Sequence, residues 1–117
     1  AAYPRLARRF LDLLEQTYAR RPGVADLAHR LGVTAPHLNR VCRQVMGKTA
    51  SRVIQDRRLL EAKRALTYTS MTVAEIGYML GFNDPAHFTK FFTRLAGLPP
   101  SRFRRQPPGG RTEIGTG

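Results

Sequence analysis

Val24-Ala25-Asp26-Leu27-Ala28-His29-Arg30-Leu31-Gly32 is answered further along the chain by Val73-Ala74-Glu75-Ile76-Gly77-Tyr78-Met79-Leu80-Gly81. In each stretch the first, fourth and eighth residues are apolar and share one helical face, and the closing Gly is the usual left-handed residue past a helix end. After one inserted residue in the turn the correspondence resumes, so Thr34 meets Asp84, Leu38 meets Phe88, Arg40 meets Lys90, Gly47 meets Gly97, and Ser51-Arg52 meets Ser101-Arg102. The chain therefore holds two copies of one unit: a short helix, a turn opening with Gly, and a second helix with a polar outer face. That is the layout of a helix-turn-helix. A pair of antiparallel packing helices is the plain alternative. Two copies in register, with basic residues at matching outward positions, favour the helix-turn-helix.

Working outward, Leu6, Phe10, Leu13, Leu14 and Tyr18 recur at three- and four-residue steps, which predicts a helix from Pro4 to about Arg20, with Pro4 in its first turn. Pro22-Gly23 breaks it. Thr34 can cap a helix running to about Met46, with Leu38, Val41, Cys42 and Val45 inward and Asn39, Arg40, Arg43 and Gln44 outward. A longer helix over 50–66 turns Val53, Ile54, Leu59, Ala62 and Leu66 inward; at ~1.5 Å per residue it measures about 25 Å. Thr72-Val73-Ala74-Glu75 is a capping box. Asp84-Pro85 starts a helix that buries Phe88, Phe91, Phe92 and Leu95, and Pro99-Pro100 starts a last short one through Arg105. The expected organisation is all-α with about seven helices: a first unit over 1–49, a linker helix over 50–66, a second unit over 67–105 and a flexible Pro/Gly-rich tail over 106–117.

The composition narrows the function. In 117 residues, twenty Lys and Arg face eight Asp and Glu, giving a net charge of +12. Such self-repulsion is tolerated chiefly where the partner is a polyanion, with nucleic acid ahead of an anionic membrane. No apolar run approaches the ~18 residues that span a bilayer, and no signal-peptide pattern opens the chain, so a cytoplasmic, nucleoid-associated protein is expected. The chain begins with Ala1, which suggests one domain of a larger protein. One cysteine, Cys42, excludes an internal disulfide framework. His29, His37 and His87 form no i, i+4 pair and join no Cys cluster, so no metal and no cofactor is expected. A major groove roughly 12 Å wide admits one helix, and successive groove faces lie about 34 Å apart on one side of B-DNA. Two units and a 25 Å spacer are of the size that spans two neighbouring segments.

Ile76 through Phe92, with Gly77, Gly81-Phe82, Asp84-Pro85, Phe88 and Phe91-Phe92, followed by Gly97-Leu98-Pro99-Pro100-Ser101-Arg102-Phe103-Arg104, resembles the signature of the AraC/XylS family of bacterial transcription regulators. Arg58-Leu59, Ala62 and Leu66 match that family's spacer helix, and the likeness covers about residues 5 to 105. The resemblance implies a seven-helix DNA-binding domain with two helix-turn-helix units, at the C-terminus of a protein whose N-terminal domain senses an effector or dimerises. It also implies a double-stranded operator and RNA polymerase as partners. Carried over by position, the base-reading face falls on Pro36, Asn39, Arg40 and Arg43 in the first unit and on Ala86, Thr89, Lys90 and Thr93 in the second.

The helical pattern selects nearly the same residues. Arg40 offers a fork to guanine O6 and N7, Asn39 can bracket adenine N6 and N7, and Lys90 can reach guanine acceptors; Pro36 and Ala86 offer only apolar contact. Arg43 and Thr93 are the members best placed to touch phosphate instead. Backbone contacts are expected from helix N-termini, Arg30, Thr34, Arg52, Arg57, Ser101 and Arg102. His37 and His87 could also reach phosphate, although packing against a neighbouring helix is the better expectation for both. A charged face that merely meets solvent is the bland reading of all these residues.

Two other readings compete. A general basic, RNA-associated binder would expose aromatic rings for stacking, whereas these phenylalanines fall on inward faces. An alkyl-accepting enzyme would need Cys42 as an accessible thiolate, yet Cys42 sits on the inward face with no general base beside it. No enzyme is expected. Because Val41-Cys42 stand where the second unit has Phe91-Phe92, the first unit is expected to be the less rigid.

Overall fold

The computed structural model describes residues 4–107, in which helices are joined by turns and short irregular stretches. Seven α-helices follow one another among the described residues: α1 (Arg5–Thr17), α2 (Val24–Arg30), α3 (Ala35–Met46), α4 (Ala50–Tyr68), α5 (Val73–Met79), α6 (Pro85–Ala96) and α7 (Pro100–Arg105), with a 3-10 turn at Tyr18–Arg20. Pro4 is the residue before α1 rather than in its first turn, because its ψ of 145° is extended. The long helix ends two residues beyond the expected 66. Of the expected tail, only Gln106 and Pro107 are described; Pro108 to Gly117 lie outside the described residues.

Two compact units divide the chain, and the boundary falls inside α4, between Arg57 and Arg58. In the first, α1, α2 and α3 pack on one another. Their core holds Phe10, Leu14, Leu27, Ala28, Leu31, Leu38 and Cys42, joined by Ala50, Val53 and Ile54 of α4. Ala7 and Thr17, which the apolar pattern omits, are buried too; the Thr17 hydroxyl donates to the Leu13 carbonyl at 2.8 Å, so its polarity is satisfied within the helix. In the second unit α5 packs on α6 and α6 on α7. Its core is a run of rings, Phe91–Phe82–Phe88–Phe92–Phe103, with successive centroids 5.3, 5.5, 6.1 and 5.5 Å apart and tilted or edge-on planes. Such pairs add about 0.5–1.5 kcal/mol each beyond area burial.

The two turns repeat each other bond for bond. The Val33 N–H donates to the Ala28 carbonyl and the Phe82 N–H to the Gly77 carbonyl, both at 3.0 Å, around Gly32 (φ 74°) and Gly81 (φ 85°). This closure satisfies carbonyls that α2 and α5 leave free at their ends. Asn83 is the inserted residue of the longer second turn. Thr34 and Asp84 then cap α3 and α6, accepting from the His37 N–H (3.2 Å) and the Ala86 N–H (2.8 Å). The expected capping box forms as well: the Glu75 N–H donates to Thr72 Oγ1 (3.0 Å) and the Thr72 N–H to Glu75 Oε1 (2.7 Å). Those bonds hold the Glu75 carboxyl below the usual carboxylate range.

Candidate nucleic-acid interface

With Leu38 and Cys42 buried on one side of α3, the opposite side is fixed by helical geometry. Pro36, Arg40, Arg43 and Gln44 are exposed there. On α6, burial of Phe88, Phe91 and Phe92 likewise turns Ala86, Lys90 and Arg94 to solvent, with Thr89 and Thr93 half-buried between them. No side-chain hydrogen bond or ion pair engages Arg40, Arg43, Lys90 or Arg94 among the described residues. Both outward faces thus carry uncompensated positive charge; the N-terminus of α6 adds nothing to it, since Pro85 has no N–H and the N–H groups of Ala86 and His87 are taken by Asp84.

Asn39 stands apart from that set. It is half-buried, and its Oδ1 accepts the Ala50 N–H at 2.9 Å, so it closes the first turn of α4. A bidentate pairing with adenine uses both the amide oxygen and the amide nitrogen, and here the oxygen is already engaged. Thr89, its counterpart on α6, has no such tie, because the residue equivalent to Ala50 is Pro100 and proline has no N–H to donate.

The residues expected at the phosphate backbone divide in the same way. Arg57 is held by Glu15 through two bonds of 2.8 and 2.7 Å and lies 4.1 Å from the Tyr18 ring centroid, with only 16% of its side chain exposed. It staples α4 to α1. Arg52 pairs with Asp56 at 2.8 Å and shares that carboxylate with Lys48 at 2.6 Å. Arg30 pairs with Asp26 at 3.3 Å, half exposed. Arg102 and Ser101 are exposed at the start of α7, with no acid equivalent to Asp56, since Gln106 occupies that place. His37 and His87 are both exposed, which corrects the expectation that they pack: each lies about 100° round its helix from the buried Leu38 or Phe88, on the side away from the core.

Two buried or half-buried arginines were not foreseen as structural. Arg58 is 4% exposed; its guanidinium donates to the Leu80 carbonyl and lies over the rings of Phe82 and Phe91 at 4.9 and 5.4 Å. Ile54, Arg58, Ala62 and Leu66 recur every four residues, so the sequence places this cation on the buried stripe of α4. Arg104 donates to the Leu66 carbonyl at 3.1 Å and the Thr69 carbonyl at 3.3 Å, closing the C-terminal end of α4.

Comparison with known proteins agrees with this arrangement. A helix-turn-helix domain family model matches residues 27–106. The chain is 32% identical over 96 residues to the probable transcription factor PqrA of Proteus vulgaris, covering 80% of this chain and 79% of that protein. It is also 32% identical over 96 residues to the transcriptional activator RhaS of Yersinia pestis, covering 82% of this chain and 35% of RhaS, so it spans about a third of that regulator. Among solved structures, the DNA-binding domain of the global transcriptional factor AdpA in complex with a target DNA superposes with a TM-score of 0.73 at 26% identity, covering 85% of this chain and 88% of that one. The turns, caps and aromatic run identified above are those of the stretch that matches, and the chain belongs to the AraC-type helix-turn-helix family of bacterial transcription regulators.

Proposed function

We infer that the chain binds double-stranded DNA sequence-specifically as the DNA-binding domain of a transcription regulator, each unit laying its second helix in a major-groove segment. One observation carries this reading: α3 and α6, in equivalent places of two repeated units, both present exposed cations with no acidic partner among the described residues. The functional division is residues 1–49 and 67–105 as readers, with 50–66 between them. In the first unit Arg40 reads guanine, Pro36 gives an apolar contact, Arg43 reads a base or a phosphate, and Asn39 contributes its amide nitrogen. Lys90 leads in the second unit, with Ala86, Thr89 and Thr93 beside it. Thr34, His37, Arg30 and Arg52 flank the first helix, and His87, Ser101 and Arg102 the second, as backbone contacts. Arg57, tied to Glu15, is the remaining backbone contact of the first unit in this reading.

RNA polymerase and an N-terminal effector-sensing domain are the partners of the intact regulator in this reading, and the cytoplasm is its place. No described helix is long and apolar enough to cross a membrane. An alkyl-acceptor role for Cys42 finds no support: the side chain is fully buried, and burial pushes its thiol above the ordinary range, away from a reactive thiolate. A stacking platform for single strands could draw on the exposed rings of Tyr68 and Tyr78 but on none of the five phenylalanines of the second unit, which are all buried.

Selection of duplexes from a random pool tests the proposal. A defined sequence is expected to emerge, with protection of two groove segments and an affinity that falls steeply with salt, the logarithmic slope being about −0.9 per phosphate contact. Equal retention of all sequences, or an affinity indifferent to salt, would overturn it.

A further inference from the structure

The outward faces of α3 and α6 share a cation at the aligned Arg40 and Lys90 and differ at the positions around it. Where α3 carries Asn39, Arg40, Arg43 and Gln44, four hydrogen-bonding side chains, α6 carries Thr89, Lys90, Thr93 and Arg94. These four line a shallow open hollow on the α6 surface, and its lining is almost wholly apolar. Only the threonine methyls and the aliphatic stems of Lys90 and Arg94 can supply such a lining, since the charged heads of long side chains extend away into water. Ala86, exposed one turn earlier, continues the same stripe with another methyl.

Among the base edges of a major groove only thymine presents a methyl, the group that threonine methyls and aliphatic stems can bury. We propose that the second unit recognises its groove segment through thymine C5-methyl groups seated against Thr89 and Thr93, with Lys90 and Arg94 reaching past them to a guanine or to phosphate. The first unit reads hydrogen-bonding edges. This rests on the DNA-binding reading above and adds what α6 selects.

The test uses the full chain and a duplex selected from a random pool. Thymines in the segment protected by the second unit are replaced by deoxyuridine, which removes the methyl and nothing else. Affinity is expected to fall about fourfold for each methyl that had been buried. The same replacement in the segment protected by the first unit has a smaller effect, confined to any methyl against Pro36. Thr89→Ser combined with Thr93→Ser, which keeps both hydroxyls, is expected to weaken binding to the thymine duplex and to abolish most of the distinction between thymine and uracil. A selected segment without thymines, or one indifferent to deoxyuridine, overturns this inference and leaves the DNA-binding reading standing. Failure to select any sequence would instead overturn the reading on which it rests.

Discussion

The two units share a turn, a pair of caps and a helix order, yet they are stabilised by different means. The first packs aliphatic side chains around Phe10 and Cys42 and neutralises many of its cations: Arg30 with Asp26, Arg52 and Lys48 with Asp56, Arg57 with Glu15. The second packs five phenylalanines and pulls Arg58 beneath them. Even the closest helix contact is rebalanced. The first unit has Ala28 and Leu38 where the second has Gly77 and Phe88, and a methyl added at Gly77 would come 3.0 Å from the Phe88 Cβ. At Gly77 the close approach of Phe88 leaves less room for a side chain than Ala28 occupies in the first unit. Equivalent positions in a repeat therefore keep their outward geometry while exchanging the groups that hold it.

The sharpest way to break this comparison is Arg58→Ala. The substitution removes the donor to the Leu80 carbonyl and two cation–ring contacts and leaves a void in the core, a loss of about 2–4 kcal/mol. Chemical denaturation is expected to show this loss, with amide exchange accelerating through α5 and α6 and much less through α2 and α3. Uniform acceleration through all seven helices would mean that the units do not have separate cores. In the unsubstituted chain the aromatic unit is expected to exchange more slowly, and better protection of α2 and α3 would count against the lesser rigidity expected of the first unit.

Asn39 and Thr89 give a smaller and more selective contrast. Asn39→Ala leaves the Ala50 N–H without its acceptor, a cost of about 1 kcal/mol by analogy with helix caps, read as a lower unfolding midpoint. Thr89→Ala is expected to leave stability nearly unchanged, since Pro100 makes no demand on it. Equal destabilisation by the two substitutions would show that the tie to α4 is not what distinguishes them.

What the sequence made legible follows from what it constrains. Helix order, both turns, the capping box and the inward faces are dictated by periodicity and by Gly, Pro, Thr and Asp at fixed offsets, all local properties. The engagement of individual polar side chains is not local. Asn39 meets Ala50 eleven residues away, and Arg57 meets Glu15 across forty-two. A helical wheel places both on accessible faces but cannot show which neighbour claims them first. Arg58 was missed for another reason: it lies on the four-residue stripe of Ile54, Ala62 and Leu66, but its charge kept it out of the inward set.

Asp56 sharpens the comparison at the smallest scale. It sits in an open hollow with Arg43, Lys48, Thr49 and Arg52, and it is the one acid there, bonding Lys48 and Arg52 at once. The second unit has Leu98, Arg102 and Gln106 at the corresponding places, so no acid stands where Asp56 does in the first. Exposed pairs such as these contribute at most about 1 kcal/mol to stability, so Asp56→Asn is expected to leave the unfolding midpoint close to its original value. Its effect on binding should be larger, because a phosphate approaching Lys48 or Arg52 no longer competes with a fixed carboxylate. DNA affinity is expected to rise a few-fold at low salt, and the slope of log affinity against log salt to steepen by about one for each newly engaged phosphate. The corresponding replacement Gln106→Asp in the second unit should shift both quantities the other way. If Asp56→Asn leaves affinity and slope unchanged, Lys48 and Arg52 do not face the duplex, and Arg52 drops out of the backbone contacts of the first unit.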